Sequence, residues 1–114
     1  ELKRWEPALA AASELVRVKP DQASGWLHRA YALRRVPGGG LTRAWTALLP
    51  AAEQFPGEPL IPYNLACYAC QLQQLAEARV QLQRAMTIGQ PSEIKRMALM
   101  DEDLMPLWPE IRSA

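Results

Sequence analysis

Residues 62–85 read PYNLACYACQLQQLAEARVQLQRA. Small residues crowd the first half: Ala66, Cys67, Ala69 and Cys70 interrupt Tyr63, Leu65 and Tyr68. In the second half Ala78, Leu82 and Ala85 recur at spacings of four and three, which keeps them on one helical face. Gln73-Gln74 separates the halves. The stretch therefore predicts two helices folded back on each other, Leu60–Gln73 and Leu75–Ile88.

The same pattern runs backwards along the chain. Ala78, Leu82, Ala85 and Gln90 fall 34 residues after Ala44, Leu48, Ala51 and Pro56, and those fall 36 after Ala8, Ala12, Leu15 and Pro20. Each set is small, apolar, small or apolar, then a position that ends the helix. At two of the three that position is proline, which lacks the N–H a continuing helix needs. The preceding helices repeat as well. Trp26, Leu27, Ala30 and Leu33 lie 36 residues before Pro62, Tyr63, Ala66 and Ala69. An offset of 36 for one helix and 34 for the next puts two extra residues in 36–40, VPGGG, whose composition is that of a loop.

Working outward, helices are expected over Trp5–Val18, Ala23–Arg35 and Leu41–Phe55, with Asp21 as an N-cap and Pro50 kinking the third. Ser92 opens a short helix to Met100. The tail DEDLMPLWPEIRSA has Asp101 as a cap and an apolar stripe of Leu104, Leu107, Trp108 and Ile111. No stretch alternates with period two, so no strands are expected. The fold class is all-α.

Composition agrees with one folded domain. Hydrophobic residues make up 49% of the 114 and charged residues 22%, with a net charge of +1. Residues 1–57 carry eight Lys/Arg against five Asp/Glu and the rest five against seven, too even for the concentrated basic face that nucleic acid demands. No apolar run approaches the roughly 18 residues of a membrane span, and no secretory leader is visible. Two cysteines three apart make no disulfide scaffold, so reduced thiols and a cytoplasmic setting are expected.

The helix pairs of about 34 residues resemble the tetratricopeptide repeat. Tyr63-Asn64-Leu65-Ala66, Leu75-Ala76-Glu77-Ala78, Leu82 and Ala85 match its motif without a gap. Trp26, Ala30, Leu33, Ala44, Leu48, Ala51 and Pro56 match with the two-residue insertion. Trp5, Ala8, Ala12, Leu15 and Pro20 match only the second helix of a repeat, as if the chain began mid-array. Pro62, Ala69 and Gln90 depart from the pattern. The tail is similar to the closing segment of bacterial proteins in which an Asp-x-Asp-Leu phrase follows a YNLACY-type repeat. The resemblance implies an antiparallel helix-pair solenoid of about two and a half repeats with C-terminal capping helices, divided as 5–18, 21–56, 59–90 and 92–114.

It also implies a function. In the family the first helix of each pair lines a concave groove that holds a protein or peptide. By register Leu27, His28, Tyr31 and Arg35 face that groove from the earlier pair, and Tyr63, Asn64, Cys67, Cys70 and Gln71 from the later one. Asn64 can clamp a backbone amide, the tyrosines supply contact area, and Arg35 or His28 can meet a carboxylate. The alternatives are a groove filled by the chain's own tail, and a homo-oligomer formed through the first helix. Relatives that grip chaperone tails use a Lys, Asn and Arg set. Leu27 and Tyr31 stand at two of those places and only Asn64 fits, so a less acidic ligand is expected.

Chemistry of other kinds has little residue support. Cys67 and Cys70 sit in mid-helix rather than at a helix N-terminus, where a thiol pKa would fall. A zinc site would need about two more ligands and there is one histidine, so no metal or cofactor is expected. Gly38-Gly39-Gly40 follows a helix and lacks the Lys-Ser/Thr sequel of a phosphate loop. Arg34-Arg35 reads as a solvated helix end. Trp26 and Trp5 fall on packing positions, whereas Trp45, one residue past a core position, is a candidate contact. The chain reads as a binding module rather than an enzyme.

Overall fold

A computed structural model describes residues 2–113, with side chains from residue 4 onward. Every regular element among them is helical: α1 (Leu2–Val18), α2 (Ala23–Leu33), α3 (Leu41–Leu48), α4 (Ala51–Gln54), α5 (Leu60–Gln71), α6 (Leu75–Ile88), α7 (Pro91–Leu99), a 3-10 segment (Glu102–Leu107) and α8 (Trp108–Ser113). None of these helices is long and apolar enough to cross a membrane. The chain divides into two compact units, Glu1–Phe55 and Pro56–Ala114.

In the first unit α2 packs on both α1 and α3. The four residues between α1 and α2 form a turn that the indole N–H of Trp26 closes by donating to the Pro20 carbonyl at 3.1 Å. Gln22, not Asp21, is the N-cap of α2, and its side chain makes no capping bond. The two helices approach closely at Gly25, where a Cβ would meet Leu15 and Val16 at 3.1–3.2 Å. On the other side, Arg29 stacks on Trp26 at 4.8 Å and donates to the Ala47 carbonyl of α3.

The expected helix 41–55 is interrupted rather than bent. Pro50 has no N–H to offer Thr46, so the α-helix stops at Leu48 and α4 restarts at Ala51 through i→i−3 bonds from Ala52 and Glu53. The loop before α3 holds its two extra residues through its glycines. Gly40 has φ +116°, and a Cβ on Gly39 would stand 1.9 Å from the Leu33 carbonyl.

The second unit is built around α5. Nine of its twelve residues are buried, so it lacks the polar face of a surface helix. Pro62 falls in the first turn, where a missing N–H costs nothing, and the Glu58 carboxylate accepts from the Leu60 N–H. At the other end Gln73 takes φ +63°, Gln74 N–H reaches the Ala69 carbonyl at 2.8 Å and Gln73 N–H the Cys70 carbonyl at 3.0 Å. This left-handed cap turns the chain sharply into α6. Helix α6 packs along α5, α7 packs on α6, and the 3-10 segment packs on α5. Ile61, Leu65, Leu104 and Leu107 are fully buried.

Two substitutions test these turns. Gly39→Ala should lower stability by about 1–3 kcal/mol, because the Leu33 carbonyl has no room to retreat without breaking its bond to Gly40. Gln73→Gly should raise it by about 1 kcal/mol, the cost of holding an L-residue in the left-handed region. Urea unfolding followed by circular dichroism at 222 nm reads both.

Candidate partner-binding surfaces

The side chains singled out by register fall on two surfaces, one in each unit. In the second unit α5 presents Tyr63, Cys67 and Gln71 one turn apart, and the chain's own tail lies on them. Tyr63 donates its hydroxyl to Asp101 Oδ2 at 2.9 Å, and the Cys67 thiol donates to the same oxygen at 3.5 Å. Gln71 donates Nε2–H to the Asp103 carbonyl at 2.9 Å. Tyr63 and Cys67 are buried, Asn64 is partly buried, and Gln71 is the exposed member at the edge. Tyr63 and Cys67 are thus covered by residues 101–107, and Gln71 bonds the same segment at its exposed edge.

Asp101 does this because its other oxygen has a local task. Oδ1 accepts the Asp103 N–H at 3.0 Å, which caps the 3-10 segment and fixes the rotamer that aims Oδ2 at α5. Beyond the cap, Leu104 and Leu107 enter the core, Trp108 donates its indole N–H to the Ala98 carbonyl at 2.8 Å, and Glu110 pairs with Arg79 of α6 at 2.8–3.0 Å. The Arg79 guanidinium holds the Glu110 carboxyl below its ordinary range. Burying two leucines is worth about 1.5–3 kcal/mol each, so the apolar part dominates and the polar bonds set the register.

The polar cluster sets protonation states too. Burial first, then the neighbouring thiol and carboxylates, pushes the Tyr63 phenol well above its usual range. Burial likewise pushes the Cys70 thiol up, which makes it a poor nucleophile at neutral pH. Cys67 Sγ and carboxylate oxygens of Asp101 and Asp103 lie within 4.8 Å of one another, the one group of metal-type donors among the described residues. Two hydrogen bonds of the capped turn, Cys67 to Asp101 and Asp103 N–H to Asp101, account for their closeness.

In the first unit the corresponding helix is open. Leu27 and Arg35 are partly buried, while His28 and Tyr31 are exposed, Tyr31 at 47%. Trp5 of α1 meets Tyr31 edge-on at 5.5 Å between centroids. The Arg35 guanidinium lies 4.0 Å from the Tyr31 ring centroid and 4.9 Å from that of Trp5, and donates to the Tyr31 carbonyl at 2.8 Å. Arg35 is therefore a stacked residue, not the solvated helix end that its place before a loop suggests. Beside this cluster Trp5, Ala8, Ala12, Leu15, Tyr31 and Ala32 line an apolar cleft of about 370 Å³. Ala8 shares the repeat's packing position, yet it is exposed and forms part of the cleft wall.

Two residues of consequence carry roles that register does not assign. The sequence marks Asp101 only as a cap, and its contact with Tyr63 spans 38 positions that no local pattern reveals. Trp5 falls on a packing position by register, and its edge is instead part of an open surface. Trp45, the candidate contact, is partly buried.

Two measurements probe the covered surface. Asp101→Ala leaves the Tyr63 hydroxyl and the Asp103 N–H without this acceptor. It should cost about 1–3 kcal/mol and speed amide exchange across residues 102–111. Tyr63 also gives a signed pH dependence. The folded chain retains the phenolic proton that the unfolded chain releases near pH 10, so stability is full below that pH and falls above it, by at most about 1.4 kcal/mol per pH unit. Tyr63→Phe should remove that part of the slope between pH 10 and 11.

Compared with known proteins, the chain matches no family model, no curated protein and no solved structure.

Proposed function

We propose that this chain is a helix-pair repeat module of the tetratricopeptide type. It binds a protein or peptide partner through the face that α1 and α2 leave open, and serves as a scaffold or adaptor rather than an enzyme. The sequence offsets of 34 and 36 residues support the repeat, as does the packing of helix neighbours in sequence, α1 on α2, α2 on α3 and α5 on α6.

The observation that carries the binding reading is the contrast between the two units. Among the described residues the second unit fully buries four large side chains, Ile61, Leu65, Leu104 and Leu107, and the first only Leu48. Part of what the first unit leaves uncovered is an apolar cleft edged by stacked aromatic rings and a guanidinium, while Val18 and Leu49 are exposed outside it. Tryptophan, tyrosine and arginine are the side chains that most often dominate binding energy, because they bring large area and directed hydrogen bonds at small entropic cost. Leu27, His28, Tyr31 and Arg35 form this surface in the reading. Tyr63, Cys67 and Gln71 belong to the face that the tail bonds, and Asn64 is partly buried beside them.

A pull-down with the wild-type chain and with Tyr31→Ala tests the assignment. Partners should be lost with Tyr31→Ala and kept with Gln83→Ala, an exposed change on α6. Retention of all partners by Tyr31→Ala would place the binding surface elsewhere. Light scattering during size exclusion addresses self-association in parallel. A monomer across a tenfold range of concentration is the expected result, and a dimer that Tyr31→Ala dissociates would favour a second copy as the occupant.

A further inference from the structure

Helix α5 by itself lacks the donors to hold a metal ion, and the tail brings them from 34 and 36 residues further on. Cys67 Sγ and carboxylate oxygens of Asp101 and Asp103 lie within 4.8 Å of one another. One sulfur and two oxygens are a donor set that zinc accepts. Around a tetrahedral zinc, with sulfur at about 2.3 Å and oxygen at about 2.0 Å, the two kinds of ligand stand roughly 3.5 Å apart. Cys67 Sγ lies 3.5 Å from Asp101 Oδ2. Asp103 bonds Asp101 and Gln71 through its main-chain N–H and carbonyl, so its carboxylate is not needed to hold the turn.

The hydrogen bonds that bring these atoms together also pre-shape them for chelation. Asp101 Oδ2 accepts from both Tyr63 and Cys67. A carboxylate oxygen has two lone pairs, so an ion that takes the place of the thiol proton leaves the Tyr63 bond intact. Gln71 fixes the Asp103 main chain from the next turn of α5. Tyr63 and Gln71, neither of them a ligand, thus orient the two aspartates, which is the task of outer-shell partners in metal sites. The surroundings favour a cation. The three donors to Asp101, a phenol, a thiol and an amide, are all neutral. After burial, Cys67, Asp101 and Asp103 each add to what raises the Tyr63 phenol. Asp101 and Asp103 are only partly buried, and Gln71 also lines an open cleft with Cys70 and Pro106, so an ion can reach the cluster from solvent.

The geometry points to a divalent-cation site of the zinc class at the seam between α5 and the tail. Cys67 serves as a thiolate, Asp101 and Asp103 through one oxygen each, and water takes the fourth position. As the ion binds, the Cys67 S–H bond breaks, Sγ keeps the electron pair and forms the metal–sulfur bond, and the proton passes to solvent. Nothing is oxidised or reduced. The bound ion ties α5 to the tail, a join that the unfolded chain does not have, so binding adds to the stability of the closed second unit. The site is separate from the proposed partner surface, which lies in the first unit.

Cobalt(II) chloride is the probe, titrated into the reduced full chain and followed by absorption. A thiolate-to-cobalt charge-transfer band is expected, saturating at one ion per chain and bleached by zinc. Cys67→Ser, which keeps a donor for Asp101, should abolish that band. Asp103→Asn should weaken binding by about tenfold or more while keeping the wild-type circular dichroism, because the bonds that hold the turn use its main chain. Cys70→Ala should leave the band and the affinity as they are. Saturating zinc should raise the urea midpoint of the wild-type chain and not that of Asp103→Asn. No band at millimolar cobalt, or a wild-type midpoint that zinc leaves in place, would overturn the inference. So would a band that Asp103→Asn leaves at full affinity, the mark of a simple thiol adduct, or one that Cys70→Ala abolishes, the mark of a site on the cysteine pair.

Discussion

The Asp101 carboxylate divides its oxygens between two tasks. One oxygen caps the turn in which the residue sits, and the other accepts from Tyr63 and Cys67 on α5. The first task is local and any helix-start aspartate performs it. The second depends on the first, because the capped rotamer is the one that points across to α5. From this joint the rest of the second unit follows. Leu104 and Leu107 are delivered to the core in register, Trp108 reaches the end of α7, and Glu110 reaches Arg79. A helix buried on nine of twelve positions needs cover on more than one side, and α6 alone cannot give it.

That cover explains why the two units differ in character. Each has a helix whose small residues permit close neighbours, Ala30 and Ala32 in α2, Ala66 and Ala69 in α5. In the second unit a later stretch of chain fills the space beside that helix. In the first, the space beside α2 is lined but not filled, and aromatic rings and a guanidinium stand at its rim. The same helix pattern therefore serves two ends, one as core and one as surface.

Much of the fold was legible because helices announce themselves locally. The positions of α5 and α6 follow from spacing and small residues, and Leu75–Ile88 is read to the residue. The break at Pro50 is stronger than the kink that spacing suggests, since proline removes the bond and the following residues can close i→i−3 turns instead. The cap expected at Asp21 falls one residue later because Gln22 adopts the extended backbone that the cap position needs. The site was less legible. Register brings Tyr63, Cys67 and Gln71 to one face, but what covers them comes from 32–38 residues away. Nothing periodic encodes such a meeting. Arg35 illustrates the same limit: its stacking depends on Trp5, a residue of another helix.

The separation between Tyr63 and Asp101 also has a consequence for the order of events in time. A chain is made from its N-terminus, so α5 exists before the segment that covers it. Until residues 101–111 arrive, Tyr63, Cys67 and the neighbouring apolar wall of α5 face water. The second unit then cannot mature piecemeal. It closes as a whole when its most distant contact forms, which slows its folding relative to a pair of adjacent helices and leaves α5 open to wrong partners in the interval. In the first unit the main packing joins helices next to one another in sequence, α1 with α2 and α2 with α3, and it carries no such delay.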